Sequence, residues 1–147
     1  MNIDVLSEID VAYISGLIDG EGSLCICRRK RVDRYGSYQL IPQVLLVNTD
    51  KEILEWVQKS LGIGSIRENS NRGRWKRCWV LRIVGMKNLH PILKRLQPHL
   101  RIKRRQTEVM LKLIENRNMG AHTGDPYTEA DLQLYDEMKK LNARGKA

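Results

Sequence analysis

Two carboxylates framed by glycine close a helical stretch near the start of the chain. The stretch runs from Val11 to Gly22 and ends Asp19-Gly20-Glu21-Gly22. A carboxylate at a helix C-terminus is disfavoured by the helix dipole, so an acid at this place indicates that a cation shares it. Glycine on both sides of Glu21 leaves room for a bulky partner such as a phosphate. Mg²⁺ is commonly held by few carboxylates together with phosphate oxygens and water, so these residues could hold a divalent metal beside a phosphate.

The same stretch carries a stripe with almost no side chain. Ala12, Gly16 and Gly20 fall four apart and therefore share one face of the predicted helix. A glycine inside a helix costs about 1 kcal/mol relative to alanine, so the stripe indicates that another helix approaches to near backbone contact. The apolar residues at helical spacing are predicted to form a second, buried face: Val11, Ile14, Leu17 and Ile18.

The nine residues from Ile14 to Gly22 resemble the signature helix of the LAGLIDADG homing endonucleases. Gly20 replaces an alanine and Glu21 replaces the second aspartate, and both variants occur in that family. The resemblance implies that Glu21 is the metal ligand, assisted by the carbonyl of Gly20, and that Asp19 is structural, capping backbone amides at the helix exit. In the family these helices work in pairs, so one copy implies a homodimer with Ala12, Gly16 and Gly20 at its interface.

The resemblance implies that the protein is an enzyme. We expect a site-specific, Mg²⁺- or Mn²⁺-dependent endonuclease that cuts double-stranded DNA at a long, nearly palindromic site and promotes intron mobility, with no small-molecule cofactor beyond the metal. An RNA maturase or DNA-binding regulator without cleavage is the alternative within the family. A basic RNA- or ribosome-binding α+β protein with a chance motif is the alternative outside it, and it predicts a monomer.

Two further catalytic candidates come from the same resemblance. The stretch from Leu100 to Gln106 resembles a lysine-rich family segment whose middle lysine contacts active-site solvent, and Lys103 takes that place. The alternative is a basic helical turn that holds phosphates, which we expect of Arg101, Arg104 and Arg105 in any case. The family often places an amide side chain where the second strand ends. Asn48 is the candidate here, although Thr49 could take that place, and Asn48 could simply cap the next helix.

Composition restricts the class of protein. A chain of 147 residues is long enough for one domain with a real core, and we expect a single domain over 1–147. A net charge of +9 suits a polyanion. Three cysteines without a C-x-x-C pair predict a reducing compartment and neither a disulfide framework nor a zinc site. The sequence shows no signal peptide and no transmembrane run, and archaeal cytoplasm and an organelle are both open.

The periodicity predicts an α+β domain in the order α-β-β-α-β-β-α with extra C-terminal helices, an arrangement that agrees with the family fold. The four strands are expected to form one antiparallel sheet with helices on one face and arginines on the other. Pro42 predicts an edge position or a bulge for the second strand. The predicted elements are helix 8–19, strands 23–31 and 38–47, a helix from 48–50 to 61, strands 65–69 and 74–84, helices 86–96 and 99–116, a loop at 118–127 and a helix to 141.

The open face of the sheet is the predicted DNA-binding surface. A two-stranded ribbon fits the major groove, where arginine reads guanine and glutamine reads adenine. Strand alternation selects Cys25, Cys27, Arg29, Arg31, Gln39, Ile41 and Gln43 in the first hairpin, and Arg67, Asn69, Lys76 and Arg82 in the second. Residues at or near strand ends are expected to hold phosphates: Arg28, Lys30, Arg34, Arg72 and Arg74.

Overall fold

Alternating apolar residues build one antiparallel sheet of four strands. The computed structural model describes residues 2–31, 37–69, 76–121 and 124–143. The strands are β1 (Gly22–Lys30), β2 (Tyr38–Asn48), β3 (Ser65–Asn69) and β4 (Cys78–Val84), and their order across the sheet is β1-β2-β4-β3. Inward side chains such as Leu24, Val44 and Leu81 are buried, so one face of the sheet forms half of the core.

Helices cover that buried face. They are α1 (Glu8–Glu21), α2 (Lys51–Leu61), α3 (Met86–Leu96), α4 (Arg104–Asn116) and α5 (Glu129–Leu141). Their apolar stripes contribute residues such as Ile14, Leu54 and Leu93 to a single core cluster. The observed order and layers confirm the α+β prediction.

Short polar side chains set the starts of three helices. The Ser7 hydroxyl accepts a hydrogen bond from the Asp10 amide, and the Asp50 carboxylate accepts one from the Ile53 amide. Thr128 and Asp131 form a reciprocal capping box at the start of α5. Near the end of α5 the Asn142 amide group donates to the backbone carbonyl of Leu24, at 2.7 Å, and so ties the C-terminal helix to β1, a strand at the sheet edge.

Three expectations about the elements were wrong. β2 is a central strand rather than an edge, and its pairing with β1 runs through Pro42 without a bulge. The proline is tolerated because the β2–β4 ladder ends at Gln43, one residue away. β4 begins at Cys78, so Lys76 and Arg77 precede it rather than lie within it.

The third error concerns α4, which begins at Arg104 and not at His99. Residues Gln97–His99 form a short 3-10 turn, and Leu100 is extended with φ −77° and ψ 138°. The predicted loop at 118–127 also contains a 3-10 turn, Asn118–Gly120. Within the described ranges, no helix combines the length and the apolar composition that a membrane span requires.

Candidate active site and nucleic-acid interface

Glu21 is the last residue of α1, and its side chain is exposed where the helix passes directly into β1. Gly22 makes this passage possible, since a Cβ there would lie 2.8 Å from the carbonyl oxygen of Ile18 and 2.9 Å from its Cα. The backbone N–H of Gly22 donates to that same carbonyl. The glycine therefore fixes the acid at the junction, where the helix end and the first strand meet.

Asn48 meets Glu21 from the end of β2. Its side-chain Nδ2 donates a short hydrogen bond to Oε2 of Glu21. Its Oδ1 accepts from the backbone N–H of Asp50 at 2.8 Å, so the amide is held at both ends. Asp50 is the residue that caps α2, and Asn48 is thereby free to orient the carboxylate. Two of the three predicted catalytic residues are thus in direct contact.

Asp19 connects α1 to the segment that carries Lys103. Its carboxylate accepts backbone N–H bonds from Arg101 (2.8 Å), Ile102 (3.1 Å) and Lys103 (2.9 Å). Asp19 therefore caps amides, as predicted, but these amides lie more than 80 positions along the chain and not at the exit of its own helix. Burial alone would raise the pKa of Asp19, but these three N–H groups and the Lys103 ammonium outweigh it and hold the pKa below its ordinary value.

This capping explains the late start of α4. The three amides that Asp19 binds would otherwise lie in the first turns of the predicted helix from His99. Lys103 becomes the residue that precedes α4, and its side chain is half-buried. The segment from Arg101 to Lys103 is therefore attached to the same helix end that carries Glu21.

The other basic residues near this segment differ from one another. Arg101 is exposed. Arg105 forms ion pairs with Glu108 at 3.2 Å and with Glu137 at 2.5 Å, and these hydrogen bonds and charges raise its pKa. Arg105 is therefore engaged with acids of α4 and α5, on the helical side of the molecule.

The donor set at the helix end fits a divalent metal that is only partly held by one chain. Glu21 offers one carboxylate and Gly20 one exposed backbone unit, while the residues the structure describes contain no group of three or more His, Cys, Asp or Glu side chains placed to hold a metal. Mg²⁺ is commonly bound by one or two carboxylates with water and substrate phosphates completing the shell. A site of this kind needs a phosphate, and a second copy of the chain could supply a second carboxylate.

The strand register assigns the side chains of the open face. Cys25 lies opposite Gln43, Leu45 opposite Arg82, and Arg82 opposite Ser65, so these residues share one face of all four strands. No acidic residue stands on that face within the described strands. Its members are Ser23, Cys25, Cys27, Arg29, Gln39, Ile41, Gln43, Leu45, Val47, Ser65, Arg67, Asn69, Cys78, Val80, Arg82 and Val84.

The predicted DNA-binding residues differ in their exposure to solvent and in their contacts within the protein. Arg29, Arg67, Asn69 and Arg82 are exposed on the open face. Gln43 is only 7% exposed and is bonded within the sheet. Arg28 lies on the other face with its guanidinium 4.2 Å from the centre of the Tyr38 ring. Burial, followed by the neighbouring Cys25, raises the pKa of the Cys27 thiol, so this group is neutral near pH 7.

Some predicted residues lie at or beyond the ends of the strands. Lys30 is the last residue of β1 and is exposed, and Arg31 follows it. Lys76 is exposed and precedes β4. Arg34, Arg72 and Arg74 lie outside the described residues.

The stripe of small residues on α1 faces outward. Ala12, Gly16 and Gly20 are all exposed, and a Cβ built on either glycine meets nothing within 4 Å. Large apolar side chains that the sequence analysis did not select are exposed on α1 or just before it: Val5 is 82% exposed, Ile9 80% and Tyr13 53%. The signal for the last two was available, since Ile9 and Tyr13 are four apart on a helix that also has a buried face.

Comparison with known proteins finds one matching family model and two similar endonucleases. The family model described as LAGLIDADG endonuclease matches residues 14–105, more than half of the chain. The DNA endonuclease I-CvuI of Chlorella vulgaris is 28% identical over 141 residues, which cover 95% of this chain and 83% of that protein. The DNA endonuclease I-CreI of Chlamydomonas reinhardtii is 27% identical over 133 residues, which cover 88% and 77%.

Solved structures agree with the sequence comparison. I-CvuI in complex with the I-CreI target in the presence of Mg, with its DNA not cleaved, has a TM-score of 0.76 at 26% identity, covering 95% of this chain and 85% of that one. The archaeal intron-encoded endonuclease I-Vdi141I, complexed with DNA, has a TM-score of 0.76 over 95% and 87%, and at 22% identity it supports the fold alone. The signature helix, the sheet and these matches together show that the chain belongs to the LAGLIDADG endonuclease family.

Proposed function

We propose that this protein is a homodimeric, Mg²⁺-dependent endonuclease that cuts double-stranded DNA at a specific, nearly palindromic site and thereby promotes the mobility of an intron. The observation that carries the proposal is the Glu21 carboxylate, exposed at the end of α1 and oriented by Asn48. It stands where the arginine-bearing face of the sheet begins, a face with no acidic residue among the described strands. The DNA complex of I-CvuI supports the same substrate class.

Each residue of the site has a separate task in this reaction. Glu21 and the Gly20 carbonyl would hold the metal, which when bound supplies the positive charge that polarises a phosphodiester and lowers the pKa of a water. Asn48 fixes the rotamer of Glu21 through its amide. Lys103 brings an ammonium to the same helix end, where it can contact solvent and stabilise negative charge as the phosphate reacts.

The dimer is part of the proposal because one chain offers only one such carboxylate. The exposed face of α1 is suited to pack on its own symmetry mate, since Ala12, Gly16 and Gly20 permit close approach. A two-fold contact of this kind is the commonest oligomer type. It would place two Glu21 residues side by side and present two sheet faces to the two halves of a palindrome.

The environment of the protein is also a proposal. Cys25, Cys27 and Cys78 are all free and partly accessible, which supports a reducing intracellular compartment.

Cleavage by wild type and by Glu21→Gln tests the function directly. The substrate is DNA that spans the joined exons at an insertion site, together with a library of randomised palindromic sites. In Mg²⁺ we expect the variant to cut more than roughly 100-fold more slowly, because even partners of metal ligands are commonly worth about 10–100-fold. In Ca²⁺, which supports binding at carboxylate sites, both proteins should bind the same DNA.

A matched variant separates the role of Glu21 from a general effect of charge. Glu129→Gln removes an exposed acid at the start of α5, on a different element, and should cut at the wild-type rate. Specific binding without cutting by wild type would identify a maturase or regulator instead. Equal cutting by wild type and Glu21→Gln would remove Glu21 from the reaction.

A further inference from the structure

Gln43 stands in the middle of the open sheet face, yet it is only 7% exposed and every polar atom of its amide has a partner. Oε1 accepts a hydrogen bond from Nε of Arg82 at 2.8 Å. Nε2 donates to Sγ of Cys25 at 3.2 Å and to Sγ of Cys27 at 2.9 Å. A glutamine that reads adenine must present both its oxygen and its nitrogen to the base. In this chain those atoms are engaged inside the protein.

The strand register explains why these four residues meet. Cys25 lies directly opposite Gln43 on β1, and Cys27 follows two positions later on the same face. On the other side Val84 is opposite Gln43 and Arg82 is two positions away, a diagonal neighbour on that face. Diagonal pairs in antiparallel sheets are within reach of long side chains. The cluster therefore follows from the sheet itself rather than from a loop.

The orientation of the Gln43 amide follows from its partners. An arginine only donates hydrogen bonds, so the group facing Nε of Arg82 must be the oxygen. The nitrogen is then directed at the two thiols, and sulfur can accept weakly. Arg82 thus sets the orientation of the amide, and in that orientation the two thiols accept from its nitrogen.

Arg82 is left with one edge of its guanidinium toward solvent. Its side chain is exposed, and its cross-strand neighbours Leu45 and Ser65 carry no charge. Within the described part of the chain, Gln43 is the one side chain that hydrogen-bonds it. With Nε held, the Nη1–Nη2 pair forms the two-pronged donor that matches O6 and N7 of guanine in the major groove.

We propose that Gln43 is a positioning residue for base recognition: held by Cys25 and Cys27, it fixes the guanidinium of Arg82, which reads one guanine in each half-site. This inference rests on the proposed endonuclease function. Fixing the long arginine before DNA arrives removes part of the ordering cost of binding. It also makes the specificity at that base pair depend on a side chain that never touches DNA.

Selection of bound sites from randomised DNA, followed by sequencing, tests the proposal in the full-length protein. Wild type should enrich a site with a guanine that Arg82→Ala no longer selects. Gln43→Met, which keeps an unbranched side chain of similar size but no amide, should lose preference at that same base pair. The preference for guanine over other bases should fall from roughly tenfold or more to about onefold, with the other positions unchanged.

Two variants provide matched controls. Gln43→Glu keeps an oxygen that can accept from Nε of Arg82, so it should retain the guanine. Arg29→Ala removes another exposed arginine of the same face, on β1, and should alter a different base pair. Circular dichroism and thermal unfolding confirm that each variant is folded before its site is compared.

The outcomes are distinct. Loss of an adenine at a separate position in Gln43→Met would show that Gln43 reads a base itself and would overturn the inference alone. Retention of the guanine in Gln43→Met, or its loss in folded Gln43→Glu, would also overturn it alone. If Gln43→Met did not fold, Gln43→Glu would still decide, since guanine preference retained in the folded variant supports the inference and its loss overturns it. Wild type that enriched no sequence would overturn the proposed function together with the inference.

Discussion

Asp19 and Glu21 lie two positions apart on α1, yet their carboxylates have different partners and therefore different tasks. Asp19 is bound by three backbone amides of the segment that precedes α4. Glu21 is bound by one side-chain amide and is otherwise exposed. Asp19, which has three hydrogen-bond donors, is suited to stabilise the fold. Glu21, which has one, is suited to bind a metal.

Replacing Asp19 with asparagine should weaken both the fold and the reaction. Hydrogen bonds to a charged acceptor are worth about 1.5–3 kcal/mol, so we expect Asp19→Asn to lower the free energy of unfolding by about 2 kcal/mol. Cleavage should also slow, because the backbone of Lys103 loses its anchor. Urea unfolding and single-turnover cleavage measure the two effects.

The pH dependence of stability gives a second test of Asp19. Its pKa is lower in the folded state than its ordinary value of 3.8, so its contribution is fully present above that value. The contribution is lost as the pH falls through the folded-state pKa. Asp19→Asn should therefore lose less stability than wild type on acidification below pH 3.8. Equal acid sensitivity of the two proteins would contradict this assignment.

At the scale of elements, the sequence correctly predicted the features that depend only on residues close together in the chain. Alternation along β1 assigned Cys25 and Cys27 to the open face, and the alternate residues Leu24 and Ile26 are accordingly buried. The start of α4 could not be predicted this way, because it depends on an acid more than 80 positions earlier in the chain. The same is true of Pro42, whose tolerance depends on where a distant strand stops.

In the candidate site, too, the sequence identified some residues, while contacts between distant strands could not be predicted. Glu21 was selected from a contiguous motif, and Asn48 was selected because the family often places an amide at the end of the second strand. The contact between their side chains was not predicted. The cluster of Gln43 with Arg82 required the register between β2 and β4, which no pattern within one strand contains. Alternation correctly placed Gln43 on the open face but could not reveal that its amide was already occupied.

The junction between α1 and β1 gives a prediction from two glycines. Gly22→Ala should lower the free energy of unfolding by about 1–3 kcal/mol, since the new Cβ meets the backbone of Ile18 at 2.8 Å. Gly20→Ala should raise it by up to about 1 kcal/mol, since its Cβ meets nothing and alanine favours the helix. Urea denaturation of dilute protein compares them. Equal effects of the two substitutions would show that the junction is not tightly packed.

At the scale of the whole molecule, one face of α1 packs in the core and the opposite face is exposed. Its inner face is filled by Val11, Ile14 and Ile18. Its outer face combines the small residues with the exposed Ile9 and Tyr13. Exposed apolar side chains that are grouped together mark an interaction surface. The proposed dimer would bury Ile9 and Tyr13 together with the stripe of small residues.

Gly16→Leu separates assembly from folding. Gly16 is exposed, and a Cβ at this position meets no other element within 4 Å, so the single chain should fold normally. The leucine should block the close approach of two α1 helices, and sedimentation should report the mass of one chain where wild type reports two. Gln133→Leu, at an exposed position of α5, should remain a dimer. A dimer that persisted in Gly16→Leu would exclude α1 as the interface.

The hydrogen bond from Asn142 to Leu24 has a consequence for synthesis of the protein on the ribosome. The two residues are 118 positions apart, and β1 is an edge strand whose unpaired carbonyls can template pairing with another chain. Until residue 142 has been made and α5 has docked, the carbonyl of Leu24 lacks this partner. Nascent chains on neighbouring ribosomes can therefore join through β1, and a stop codon placed before Asn142 should leave that hazard in the finished product.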